Sequence, residues 1–211
     1  MKRIDTKTRI LNTAEQLFAR DGFHNTSLRT LTDLANVNLA AVNYHFGSKE
    51  NLLQSVIERR LIPLNQVRQE KIEAVLAAAQ QQGTTPSAID LLRAFIEPTL
   101  AFRGTDSGAK DFIALVGRAL SEPDETVRNC FIQQILPLFK LLFTTLQQAL
   151  PELPANILLA RLQFTMGALS HVMCSSVRPL PQIPGFPEPL AGEELVEQLL
   201  TFVCTGLEAS C

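Results

Sequence analysis

The sequence predicts an all-α protein: a compact N-terminal three-helix unit followed by a larger helical body. Two observations carry this. Apolar residues recur at helical spacing in almost every segment of the 211-residue chain. No internal repeat and no pair of alternating, turn-linked runs reads as paired strands. The breaks between helical stretches are sharp: QQQGTTP at 80–86, RGTDSG at 103–108 and RPLPQIPGFPEP at 178–189.

Each element has a local reason. Ile10, Ala14, Leu17 and Phe18 share one helical face, and Gly22 stands where that helix should stop. Ser27 can cap a short second helix with Leu28, Leu31 and Leu34 along one face. Asn36-Val37-Asn38 makes a tight connection, and Asn38 caps a third short helix from Leu39 to about His45. Gly47-Ser48 ends that helix and caps a long fourth one from Lys49. Further helical stretches lie near 49–81, 86–103, 109–121, 124–149, 155–178 and 190–208. Pro63 and Pro137 fall inside two of them and predict a bend or an interruption. The natural division falls within the fourth helix. It separates a domain at 1–53, linked through helix 49–81, from one at 54–211.

Composition narrows the class. Hydrophobic residues make up 46% and charged residues 19%, which fits a folded chain. No uncharged apolar run is long enough to span a membrane, and MKRIDTKTRIL lacks the pattern of a signal peptide, so a cytoplasmic protein without membrane contact is expected. Cys130, Cys174, Cys204 and Cys211 form no CxxC pair and read as free thiols. His24, His45 and His171 show no ligand spacing, so neither a metal nor another cofactor is expected. No Ser/His/Asp set or phosphate-cradling glycine loop suggests an enzyme, so no catalytic residue is assigned. The net charge of −2 does not suggest nucleic acid, but its distribution does. Residues 1–60 hold nine Lys/Arg against six Asp/Glu, and the remainder ten against fifteen.

Two short helices joined by a tight turn and preceded by a longer helix form a helix-turn-helix, whose second short helix enters the major groove of DNA. At about 100° per residue, Val42 and Phe46 fall on one face with Leu39 nearby, and these three are expected to pack inward. Ala40 and Tyr44 point the opposite way, flanked by Ala41 and Asn43. Small side chains let a helix approach base edges; alanine can touch a thymine methyl and asparagine can pair with adenine. Lys49 opens the fourth helix, where the macrodipole disfavours a cation unless an anion is also present.

These residues carry a resemblance. Residues 6–53, with LFARDGF, TSLRTLTDLANV and YHFGSKENLL in order, resemble the N-terminal domain of TetR-family transcriptional regulators. The resemblance covers about a quarter of the chain. The family commonly has tyrosine at the position of Asn43; here the tyrosine is next to it. The stretch NLAAVNYHFGSK is similar to that of regulators answering to fatty acids or acyl-coenzyme A. The resemblance implies phosphate contacts from Thr26 or Ser27, Tyr44, His45 and Lys49, and base contacts from Arg29, Leu39, Ala40, Ala41 and Asn43.

It also implies that residues 54–211 bind a small molecule and dimerise. The expected protein is a ligand-responsive repressor, binding a palindromic double-stranded operator as a homodimer and released by a small hydrophobic effector such as a fatty acyl compound. Pocket candidates are Phe95, Phe102, Phe112, Leu115, Phe131, Phe139 and Phe143, with Arg118 and Arg161 as cations for a head group. Interface candidates are Phe164, Gly167, Ala168, His171 and Val172 on one helix, and Leu195, Leu199 and Phe202 on the next. A stripe like the first is more often ordinary core than a pocket, and the second reads as an interface with closure of the monomer core as its alternative. The rival reading is a constitutive dimeric DNA-binding protein with no ligand.

Overall fold

The computed structural model describes residues 5–104, 107–121, 125–175, 185, 187–190 and 192–209. Nine α-helices and no strand occur among them: α1 (Thr6–Asp21), α2 (Leu28–Ala35), α3 (Leu39–Phe46), α4 (Lys49–Gln82), α5 (Ala88–Ala101), α6 (Ser107–Ser121), α7 (Glu125–Ala149), α8 (Ala155–Ser175) and α9 (Gly192–Glu208). A short 3₁₀ turn, Phe102–Gly104, follows α5. Most of the proline-rich stretch at 178–189 lies outside the described residues. The prolines do not end their helices. Pro63 sits inside α4 and Pro137 inside α7, each forfeiting one intrahelical hydrogen bond.

Packing divides the chain into two compact units, Met1–Pro63 with Arg103–Ile135, and Leu64–Phe102 with Leu136–Cys211. This differs from the division expected at 53/54, because α6 packs on α1 and so joins the first unit.

In the first unit Ile10, Ala14, Leu17 and Phe18 bury the inner face of α1. Phe23 meets Phe18 edge-on, with ring centroids 5.4 Å apart. Leu31 and Ala35 of α2, Val42 and Phe46 of α3, and Leu52, Leu53, Val56 and Ile57 of α4 complete this core. Each large apolar side chain so buried contributes about 1.5–3 kcal/mol. One polar cluster is also buried. Glu15 of α1 accepts from Arg59 Nη2 at 2.7 Å, and from Arg60 Nε and Nη2 at 2.8 Å each. Arg59 Nη1 donates to Asn12 Oδ1 at 2.7 Å. The start of α4 is thereby tied to the middle of α1.

In the second unit α9 packs against both α5 and α8. Leu91, Leu92, Phe95, Ile96, Leu142, Leu146, Leu158, Leu162 and Leu200 are almost wholly buried. Arg93 of α5 bridges Glu97 one turn on and Glu197 of α9, which raises its pKa through those bonds. Cys204 is a free, buried thiol, pushed up to about 11 chiefly by desolvation. No helix is long and apolar enough to cross a membrane, and no cluster of three potential metal ligands occurs, among the described residues.

Candidate nucleic-acid interface

The geometry of α2 and α3 follows from their caps. Ser27 Oγ accepts from the Thr30 amide at 3.0 Å and starts α2. Asn36 ends it in the left-handed region (φ 51°, ψ 54°), the one non-glycine residue with positive φ among those described. The Val37 amide reaches back to the Thr32 carbonyl at 3.0 Å, closing the turn. Asparagine tolerates this conformation better than other side chains of its size. Asn38 Oδ1 then accepts from the Ala41 amide at 2.8 Å and starts α3. Gly47, at φ 76°, closes α3, and Ser48 Oγ caps α4 through the Asn51 amide at 3.1 Å.

Val42 and Phe46 hold α3 against the core. The opposite face is open: Ala40, Asn43 and Tyr44 are exposed, Tyr44 to 85%, while Ala41 and His45 are half-buried. The Tyr44 and His45 rings meet edge-on, with centroids 5.1 Å apart. Arg29 and Ser27 are exposed at the start of α2. This face offers methyl groups, an amide, a phenol and a guanidinium side by side, and nothing in it suits covalent chemistry.

Several expectations need correcting. Leu39 does not seat the helix: it is 49% exposed and stands with the outward residues. Of the α2 face marked by Leu28, Leu31 and Leu34, Leu31 is buried with Thr32 and Ala35, while Leu34 is 60% exposed. Thr26 is buried, and its hydroxyl donates to the Gly22 carbonyl at 2.9 Å, so Ser27 is the exposed hydroxyl of the two. Lys49 has a local partner that the sequence did not reveal. Its Nζ lies 4.5 Å from the centroid of the Phe23 ring and 3.5 Å from the His24 carbonyl. A lysine at this helix start is therefore explained without an anion. Glu50 beside it accepts from its own amide and the Ser48 side chain, which holds its carboxyl below the ordinary range.

The pocket candidates are drawn from both units. Phe112, Leu115 and Phe131 belong to the first unit, where Phe112 and Leu115 are core. Phe95, Phe102, Phe139 and Phe143 belong to the second, with Phe95 buried and the other three half-buried. The side chain of Arg118 lies outside those described. Arg161 has a role inside the fold: its Nη1 donates to the carbonyls of Leu207 and Ala209 at 2.8 and 2.6 Å, capping the C-terminal end of α9. Among the interface candidates Phe164, Gly167, His171 and Phe202 are exposed, and Ala168 and Leu195 half-buried. Val172 and Leu199 are buried in the monomer and are core.

Comparison with known proteins agrees with this geometry. Residues 10–56 match the family model described as bacterial regulatory proteins, tetR family, and residues 93–206 match a tetracyclin repressor-like C-terminal domain. The helix-turn-helix transcriptional regulator UidR of Escherichia coli K12 is 38% identical over 52 residues, 25% of this chain and 26% of that one. The transcriptional repressor NicS of Pseudomonas putida is 34% identical over 76 residues, 36% of this chain and 35% of that one. These likenesses thus span about a quarter to a third of the relatives' lengths. Along the whole chain the fold is similar to that of the fatty acid degradation regulator FadR from Bacillus halodurans, with a TM-score of 0.67, 16% identity and 100% of both chains covered. Because the C-terminal match alone takes in more than half of its residues, the chain belongs to the TetR family of bacterial regulatory proteins.

Proposed function

We propose that this protein is a cytoplasmic DNA-binding transcriptional regulator, working as a homodimeric repressor on a palindromic operator and released by a small hydrophobic effector. The observation that carries the reading is the open face of α3, where small side chains at Ala40 and Ala41 lie between Leu39, Asn43 and Tyr44. Residues 1–53 act as the reading head and 54–211 as the effector-binding and dimerisation body. Ser27, Tyr44, His45 and Lys49 take phosphates; Arg29, Leu39, Ala40, Ala41 and Asn43 meet bases. The likeness in fold to a regulator of fatty acid degradation supports a fatty acyl effector. The effector acts if it prefers a conformation in which the two heads miss successive major grooves, roughly 34–36 Å apart. Selection of bound sequences from a random DNA pool tests the core of the reading: a palindromic consensus is expected, and no enrichment would refute it.

Lys49 must leave the Phe23 ring, or share it, to reach a phosphate. Lys49→Ala is expected to weaken all sequences alike and to reduce the slope of log K against log salt by about 1 per subunit. Anisotropy titrations across a salt series measure it, and an unchanged slope would remove Lys49 from the contact set.

Dimerisation is assigned to the outer faces of α8 and α9. Phe164 and Phe202 are 74% and 71% exposed there, large aromatic surfaces of the kind that anchor interfaces. Phe164→Glu, combined with Phe202→Glu, is expected to give a monomer by light scattering at micromolar concentration with an unaltered circular dichroism spectrum. A persistent dimer would place the interface elsewhere.

A further inference from the structure

Among the described residues two ionisable side chains of opposite sign are buried, and their surroundings differ. Glu15 is met by two guanidinium groups. Arg68, on α4 in the second unit, is 4% exposed and has no carboxylate within ion-pair distance among the described residues. Its partners are all neutral. Nε and Nη2 donate to Thr99 Oγ1 at 3.1 and 2.5 Å, and Nη1 donates to Asn65 Oδ1 at 2.8 Å. The Phe95 ring covers one face of the guanidinium, 4.5 Å from centroid to carbon. Thr99 donates its own hydroxyl proton to the Phe95 carbonyl at 2.8 Å, which turns its lone pairs toward Arg68. Burial pulls the pKa of Arg68 down to about 9, still leaving it charged at neutral pH.

A guanidinium has five N–H donors in one plane. The three bonds to Thr99 and Asn65 leave one N–H on Nη1 and one on Nη2. Burying a cation without a counter-charge is expensive, and an apolar side chain of similar length would fill the site without that cost. Thr99, Phe95 and Leu91 recur every four residues on α5, so the guanidinium, bonded to Thr99 and covered by Phe95, lies on a buried stripe that is otherwise apolar. Oriented donors beside apolar surface are what an amphiphilic acid requires.

We propose that Arg68 anchors the oxyanion head of the effector, an organic acid with an apolar remainder, while Thr99, Asn65 and Phe95 hold the guanidinium in place. The inference rests on the effector reading above and specifies the effector's chemistry. Sequence spacing concealed it, because Arg68 falls in a polar stretch, NQVRQEK, that reads as a solvated face.

Calorimetric titration of the full-length protein with decanoate, decyl phosphate and decanol tests it. At least one of the two anions is expected to bind about ten-fold tighter than decanol or better, as charge-assisted bonds require. The tighter anion identifies the head group as carboxylate or phosphate. Arg68→Met is expected to bind anion and alcohol alike, without a fall in the Tm of the unliganded protein. Equal binding of the anions and decanol by the unmodified protein, no anion binding, or an anion preference that survives in Arg68→Met would overturn the assignment. The unmodified protein suffices for the first two outcomes, so the test stands even if the variant does not fold. Operator release by alkyl ligands regardless of head group would sink the role of Arg68 and spare effector control. Anion binding through Arg68 that leaves operator affinity unchanged would do the reverse.

Discussion

Glu15→Ala is expected to lose about 3–5 kcal/mol of stability in the first unit, the largest loss expected from any single polar substitution there. The carboxylate is buried and receives bonds from both Arg59 and Arg60, whose side chains are themselves mostly covered. Removing it leaves two cations facing each other away from water. Each would have to be rehydrated or displaced, so the loss exceeds the value of any one bond. Asp111 of α6 moderates the effect. Burial and the charge of Glu15 both raise its pKa, and losing Glu15 relieves that repulsion. The cluster leaves no spare room. A Cβ at Gly108 would fall within contact distance of Arg60 Nη2 and Glu15 Oε2. Urea unfolding followed by circular dichroism measures the loss. With a slope of about 2 kcal/mol per molar urea, the midpoint should fall by roughly 1.5–2.5 M. A fall of under about 0.5 M would mean that water already compensates the pair. Glu15→Gln keeps the shape and removes the charge, so a loss of similar size there assigns the effect to electrostatics. Because the cluster joins α1 to α4, operator affinity should fall with stability, in contrast to substitutions on the open face of α3.

The first four helices were legible because their ends are marked. Ser27, Asn38 and Ser48 cap helices as their side chains suggest, and Gly22 and Gly47 supply positive φ where the sequence places helix ends. The errors fall where geometry beyond a single helix decides. α2 and α3 have only eight residues each, so Leu34 and Leu39 lie at the margin of a narrow buried arc. Which side of that margin a neighbour covers cannot be read from the angle of one helix. Thr26 and Ser27 are adjacent hydroxyls; Ser27 takes the cap, as serine is the better capping residue, and the backbone turns Thr26 inward. The larger body was less legible still. A phenylalanine stripe looks the same whether it faces a cavity or fills a core, and α6 belongs by packing to the first unit. Arg161 meets the carbonyl end of a helix some 46 residues away in sequence, which no local pattern announces.

Ala40→Glu tests the reading head where its claim is sharpest. Ala40 is exposed in the first turn of α3, and its methyl takes no part in the core formed by Val42 and Phe46. A carboxylate in the first turn of a helix is favoured by the macrodipole by a few tenths of a kcal/mol, so α3 should form as before and the Tm should hold. The same carboxylate would face phosphates and the electronegative edges of bases. Like charges brought together at an interface cost several kcal/mol. Operator affinity is therefore expected to fall by at least about 100-fold, equivalent to about 2.7 kcal/mol, in anisotropy titrations at fixed salt. Ala40→Gln separates charge from bulk, because glutamine has nearly the same volume and can donate to a base. It should lose less affinity and can shift the preferred sequence at the base pair it meets. If Ala40→Glu binds within about three-fold of the unmodified protein, α3 does not lie in the groove on this face. The assignments of Ala41, Asn43 and Tyr44 would then fall with Ala40, since all four rest on one helical rotation.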